Sequence, residues 1–528
     1  MSETRGKHGP DKSNIEELKL RKDGLDIWQD IEGWAKTGYD SIPKEMLDLF
    51  KWYGVYQQKP NEGHFMLRIR IPGGQITAAQ ARAVAAISRE YARDTLDITV
   101  RQNFQLHWLT IETLPEIKRR LADVGMTSIM ACGDTPRNII GCPLAGRDKH
   151  EILNAQPVLD QVNAAVAGNR DYSNLPRKFK MSISGCEILC PQPEINDIGL
   201  YGAVQTVGGT KRIGFNLMAG GGLSTRPYFG KVMNAFVPEG QVLDVCLAIL
   251  KIFREMGNRE SRKKARMKFL VDELGAEQFR NLIIEKLGYD LEEAGEARWN
   301  PNAFRDHVGL GEQKQAGYYY MGLISTAGRI VPDDLRIAAE IAEKYGSGQL
   351  ANTNLQNLLI LDIPENKVEE ARQLAETAPT LRLEAHPVRQ GVISCTGLPF
   401  CNLAVTETKG RSQSVVEYLE NEVTLDTPIK IAFSGCPNSC SQYQTADIGL
   451  RGGKTRVDGE EREAYDLFIG SDMGEAQEFN TQALRAIPSA KVGPVIARIL
   501  KKFNTEREPG ETFQRYARRI IKNGGSFE

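Results

Sequence analysis

Four cysteines in two short motifs could hold a metal centre. SCTGLPFCN at 394–402 places Cys395 and Cys401 in a C-x5-C spacing, and SGCPNSCS at 434–441 places Cys436 and Cys440 in a C-x3-C spacing. Thiolates favour iron-sulfur clusters or zinc over hard, oxygen-seeking ions. Structural zinc more usually takes C-x2-C knuckles. Four unrelated buried cysteines would be small hydrophobes, but Gly435 and Pro437 break regular structure beside the thiols and turn backbone amides toward them. Spacing alone leaves open a non-catalytic, four-cysteine metal-binding module.

A second set of residues is basic. Arg68 lies in MLRIR at 66–70, Arg137 in TPRN at 135–138, and Lys178 and Lys180 in LPRKFK at 175–180. Strand alternation points Lys178 and Lys180 to one side, as a shared anion site requires. Singly each reads as a surface charge. Arginine would be a fixed cation, whereas a lysine crowded by other cations can lose its proton near working pH. Arg259, Arg262, Lys263, Lys264, Arg266 and Lys268 crowd 258–268, read as one helical stretch that is either a solvated face or an anion cradle. The glycines at 220–222 would let amides approach a ligand. His107 reads as a half-buried strand histidine. Cys132, Cys142, Cys186 and Cys190 leave a second metal centre an open question.

The stretches CTG at 395–397, ETK at 407–409, GCPNSC at 435–440 and ADIGL at 446–450 resemble the ferredoxin-nitrite reductase and sulfite reductase family, over about 24–519. The resemblance implies siroheme coupled to a 4Fe-4S cluster held by Cys395, Cys401, Cys436 and Cys440, with Cys440 bridging cluster and haem iron. It implies substrate contacts from Arg68, Arg137, Lys178 and Lys180, and cofactor contacts from Arg101, Gln105, Arg177, Gln356, Asn438 and Cys440. The implied reaction is six-electron reduction of nitrite to ammonium by ferredoxin or a similar small carrier, with sulfite to sulfide as the alternative. Nitrite reductases of this family usually carry asparagine where Lys180 stands, yet the CTG and ETK motifs look closer to the nitrite branch. No G-x-G-x-x-G motif opens a strand-helix unit for a dinucleotide.

The elements that must position these residues repeat. Strands at 66–71, 97–100 and 105–111 alternate with helices begun at Thr77 and spanning 114–124. GGQI at 73–76, Tyr91 and NFQ at 103–105 are echoed by AGRI at 327–330, Tyr345 and NLQ at 354–356. SGC at 184–186, Cys190, Gln192 and DIGL at 197–200 recur 250 positions later. The expected fold is α+β, a pseudo-twofold tandem duplication that the resemblance makes a three-domain architecture enclosing both cofactors. The expected parts are an N-terminal extension at 1–60, with a flexible lead and then a short helix, and ferredoxin-like repeats at 61–128 and 317–385. Cofactor domains at 129–290 and 386–528 and a linker at 291–316 complete them. A net charge of −1 and a pI near 6.7 argue against a nucleic-acid partner. Absence of a long apolar run or signal core points to a cytoplasmic protein that spans no membrane, expected as a monomer.

Overall fold

The computed structural model describes residues 14–300, 303–474 and 476–527. In the first repeat, strand Phe65–Ile69 pairs antiparallel with Phe104–Leu109, which pairs with Leu96–Ile98. Thr77 starts helix Ala78–Tyr91 with a capping box: its hydroxyl accepts from Gln80 N at 3.2 Å, and the Gln80 side chain accepts from Thr77 N at 3.0 Å. Val84 and Ile87 are buried on the inner face of that helix. The second repeat answers with strands Tyr318–Leu323, Gln349–Asn352 and Leu358–Pro364 and helix Pro332–Tyr345.

Each repeat gives an edge strand to the other. Arg329–Ile330 extends the first sheet by pairing with Asp97 and Leu96, and Gln75–Thr77 extends the second by pairing with 349–351. The helices at 78–91 and 332–345 pack across this exchange, and a single core contains Val84 and Ile87 with Ile337 and Ile341. The pairing fixes the repeat offset at 254, because Leu96 opposes both Ile330 and Leu106 while Leu350 opposes Ile76 and Ile360. This corrects one equivalence: NLQ at 354–356 does not match NFQ at 103–105. Gln356 and Asn357 instead take the places of Gln102 and Asn103. Asn103 Oδ1 accepts from Ile71 N and Asn357 Oδ1 from Ser325 N, 254 positions apart at both ends.

In the two larger sheets four successive strands keep an offset of 250. Met181–Ser184, Ile198–Val207, Thr210–Ala219 and Lys231–Pro238 recur as Ile431–Ser434, Ile448–Val457, Glu460–Ile469 and Thr481–Pro488. Helix Val242–Met256 recurs as Val492–Glu506. Each sheet has its own core, one including Phe179, Phe215 and Phe253, the other Phe433, Tyr465 and Phe503.

Two expectations change. The basic stretch 258–268 is not one helix. Helix Val242–Met256 ends before Gly257, Asn258 Oδ1 accepts from Ser261 N to form a turn, and helical structure resumes only at Met267. The stretch read as a linker is packed. Strand Gly309–Glu312 joins the second sheet, and buried Asp306 accepts from Thr353 and Asn357. The flexible lead lies outside the described residues, but the short helix Asn14–Arg21 is docked. Its buried Lys19 donates to Leu175 O at 2.9 Å and Asp134 at 3.4 Å, bracing the segment that leads to Lys178.

Candidate active site between the two halves

Cys395 follows strand Val392–Ser394, which lies parallel to Ile431–Ser434; the loop leaving that second strand carries Cys436 and Cys440. The Cys440 sulfur acts electrostatically on Cys395, Cys401 and Cys436, so the structure brings the four thiols together. Burial, followed by that mutual repulsion, raises the Cys395 thiol above its ordinary value. Gly435 N donates to Cys395 Sγ at 3.2 Å, and Asn438 Nδ2 lies 3.5 Å from Cys436 Sγ. Backbone amides of Leu403 and Ala404 face Cys401. Amide donors around a thiol set favour ionised sulfur, the form that binds metal. A Cβ at Gly435 would lie 3.0 Å from Ala404 Cβ and 3.2 Å from Thr406 O, so the close approach uses glycine.

The first half presents cations to this group. Cys440 acts electrostatically on both Arg68 and Lys178. Arg68 is fixed by Gln105, whose Oε1 accepts from its Nε at 3.1 Å and NH2 at 2.6 Å, while Gln105 Nε2 donates to Thr396 beside Cys395. Burial works against the charge of Arg68, but Cys132, Tyr56 and Cys440 outweigh it and raise its pKa. Arg137 is held by the carbonyls of Gly133, at 2.7 and 3.0 Å, and Ala131.

Lys178 and Lys180 flank buried Phe179, whose N–H bonds Thr135 O and whose carbonyl accepts from Arg137 N. Alternation thus aims both lysines to one side, as expected. Among the described residues neither ammonium has an acidic partner within ion-pair distance. Burial first, then Arg266, Arg137 and Arg177, lower Lys178; burial, Lys178 and Arg101 lower Lys180 further.

Arg101 donates to Asn196 Oδ1 at 2.9 Å and to the carbonyls of Asn138 and Met181, and its buried Nε has no partner. Burial lowers Arg101 to about 9. Arg177 pairs with Asp134 at 3.3 Å. Both ends of the Gln356 amide are engaged by backbone, Nε2 on Ile98 O and Oε1 on Ser394 N, so it positions the strand entering Cys395.

Other readings resolve differently. His107 is fully buried between Asp97, at 3.1 Å, and Gln58, stacked on Phe400; burial lowers its pKa, and it is part of the framework. The amides of Gly220, Gly221 and Gly222 are spent on Asp197, Asn196 and Tyr228 carbonyls, and a Cβ at Gly221 would meet Glu194 O at 2.5 Å. These glycines serve packing and are not a ligand loop. The basic stretch divides: Arg259 and Arg262 bind Glu16 and Asp134, whereas Arg266 and Lys268 are buried. Burial, then Arg266, lowers Lys268 to about 7. Sequence reading missed Tyr56, which acts electrostatically on Arg68, and it set Cys132 with the other first-half cysteines, whereas its sulfur lies 3.0 Å from Arg68 NH1. No short motif signals Tyr56, because it belongs to a separate edge strand.

This donor chemistry fits both groups that the motifs imply. Four facing thiols with amide donors suit an iron-sulfur cluster. Several half-buried cations gathered at the site, with unpartnered Nε atoms on Arg101 and Arg266, suit the carboxylates of an anionic macrocycle. Fold and site define an oxidoreductase with a duplicated chain and an iron-sulfur domain. The model for the nitrite and sulphite reductase 4Fe-4S domain matches 132–291 and 388–522, and that for the nitrite/sulfite reductase ferredoxin-like half domain matches 56–124 and 311–378.

The assimilatory ferredoxin-dependent nitrite reductase of Haloferax mediterranei is 37% identical, over 96% of this chain and 91% of its own. Sulfite reductase [ferredoxin] 1 of Mycolicibacterium paratuberculosis is 36% identical, over 96% and 95%. The solved structure of the Mycobacterium tuberculosis NirA protein superposes with a TM-score of 0.91 at 35% identity, covering 96% of each chain. The chain belongs to the nitrite and sulfite reductase family, whose members carry siroheme with a 4Fe-4S cluster.

Proposed function

We propose that this protein reduces nitrite to ammonium with six electrons drawn from ferredoxin or a similar small carrier. The observation that carries the reading is the meeting of Arg68, Arg137, Lys178 and Lys180 from the first half with the Cys440 group of the second. When bound, the cluster and siroheme supply one-electron transfer and an iron that takes the anion. Cys395, Cys401, Cys436 and Cys440 would hold the cluster, with Cys440 shared with the haem. Arg101, Arg177 and Asn438 would hold or border the cofactors, with Gln105 and Gln356 fixing their neighbours.

Arg68 and Arg137 keep their charge and orient the anion. Lys178 and Lys180, easily deprotonated, give protons to departing oxygen. Leu403 and Val405, 60% and 38% exposed beside Cys401, offer an apolar landing for a donor close to the cluster. Nine cysteines free of disulfides suit a reducing, cytoplasmic setting. In domain terms the reading takes 61–128 and 317–385 as the bodies of the ferredoxin-like units, extended by strands Val55–Gln57 and Gly309–Glu312, with 129–290 and 386–528 as cofactor units.

Nitrite is preferred because relatives from Haloferax mediterranei and Synechococcus elongatus, both 37% identical, bear that activity in their names. Sulfite is the second reading, favoured by Lys180: a bound anion draws its ammonium form back, and a dianion does so more strongly than nitrite. Steady-state turnover of each anion with one reduced donor decides between them. A higher kcat/KM for sulfite would reverse the assignment, and an optical spectrum without siroheme bands would end both.

A further inference from the structure

A second cluster of metal-binding side chains lies in the first half, apart from the anion site. Cys142, Cys186 and Cys190 are 1–2% exposed, and His307 and Asp148 are 5% and 4% exposed. Cys142 Sγ lies 3.8 Å from His307 Nε2 and 3.7 Å from Asp148 Oδ2. The same oxygen lies 3.1 Å from Cys186 Sγ and 3.6 Å from His307 Nε2. The donor atoms of Cys142, Cys190 and His307 all fall within 4.8 Å of one another, as do those of Cys142, Asp148 and Cys186.

The duplication explains how such a group arose. Cys186 and Cys190 stand 250 positions before Cys436 and Cys440, and the left-handed backbone at Leu189 and Gln192 recurs at Ser439 and Gln442. Ile140 pairs with Ser182 as Ile393 pairs with Ala432, which puts Cys142 in the place of Cys395. Asp148 then follows Cys142 at the spacing by which Cys401 follows Cys395. The first half therefore retains three thiols of a four-thiol site, and His307 enters from the segment joining the halves.

Within each trio, with Cys142 common to both, the separations approach those around one ion. Metal-sulfur bonds of about 2.3 Å and metal-nitrogen bonds of about 2.0 Å put tetrahedral ligands about 3.5–3.8 Å apart. A cluster of four irons and four sulfides needs its thiolates spread wider, whereas Cys142 and Cys190 lie within 4.8 Å of each other and of His307 Nε2. We propose that Cys142, Cys186, Cys190 and His307 bind one zinc ion. Asp148, the harder donor, stays beside the site, with its other oxygen accepting from His150 N at 2.8 Å. Binding releases the three thiol protons and ties together the loops at 142–148 and 186–190 and the connecting segment at 303–308.

Metal analysis of the full-length holoprotein tests this. The expected content is about one zinc per chain beside about five irons, four in the cluster and one in the haem. Cys142→Ser, Cys190→Ser and His307→Ala should each lower zinc to below about a tenth per chain, while Asp148→Asn and the distant Cys246→Ala keep it near one. Because a variant can fail to fold, zinc-edge X-ray absorption of the unaltered protein is the second readout, with three sulfurs and one nitrogen expected. Zinc-free protein, an iron content near nine, a disulfide at Cys142, an oxygen and nitrogen shell, or zinc lost with Asp148 and kept without His307 would each overturn the assignment.

Discussion

Lys180 gives the proposed substrate its sharpest test. Coulomb attraction scales with ligand charge, so Lys180→Asn should weaken a dianion more than a monoanion. We expect kcat/KM for sulfite to fall roughly tenfold further than for nitrite, a differential of about 1.4 kcal/mol. Equal losses would show that this position does not set the preference. Lys178 yields a pH prediction. Its pKa lies below the ordinary 10.5, through burial first and neighbouring arginines second, so it loses its charge at lower pH than a free lysine. On the proposed reading the anion is held by that charge, and kcat/KM for nitrite should therefore fall as pH rises through the lowered value. Lys178→Arg keeps its charge and should move the alkaline limb upward; an unmoved limb in a pH series would assign it to another group.

At the scale of elements, the exchanged strands depend on a tight turn. Gly328 has φ +79°, and a Cβ there would meet Ile98 O at 2.4 Å and Gln356 Nε2 at 2.7 Å. Gly328→Ala should cost roughly 1–3 kcal/mol in denaturant unfolding and lower cluster content, since Gln356 also holds Ser394. Gly453→Ala, with nothing within 4 Å, is the control. How far these elements were legible follows from their determinants. The 250-residue offset was readable because thiols, glycines and DIGL recur in register. The 254-residue offset was misread by three positions at NLQ because hydrogen bonding across sheets, not residue type, identifies Gln102 with Gln356. The closeness of Lys178 to Lys180 was legible through backbone alternation about Phe179. Tyr56 and the split of the basic stretch were not, since both depend on contacts between distant segments.

For the whole molecule, a core shared by both repeats predicts one cooperative unit. Each sheet of the ferredoxin-like pair is completed by a strand from the other repeat, so 1–300 and 303–528 produced separately should aggregate or stay unfolded, and co-expression should recover the holoprotein's spectrum. Independent folding of either piece, with its own sharp thermal transition, would contradict this. The same reciprocal lending of strands has a historical reading. Cut the connection between repeats and what remains is a domain-swapped homodimer, with two equivalent sites across its axis. In one chain the two sites need not copy each other: Asp148 stands at the place that Cys401 takes in the other half, and His307 reaches the first-half thiols from the seam.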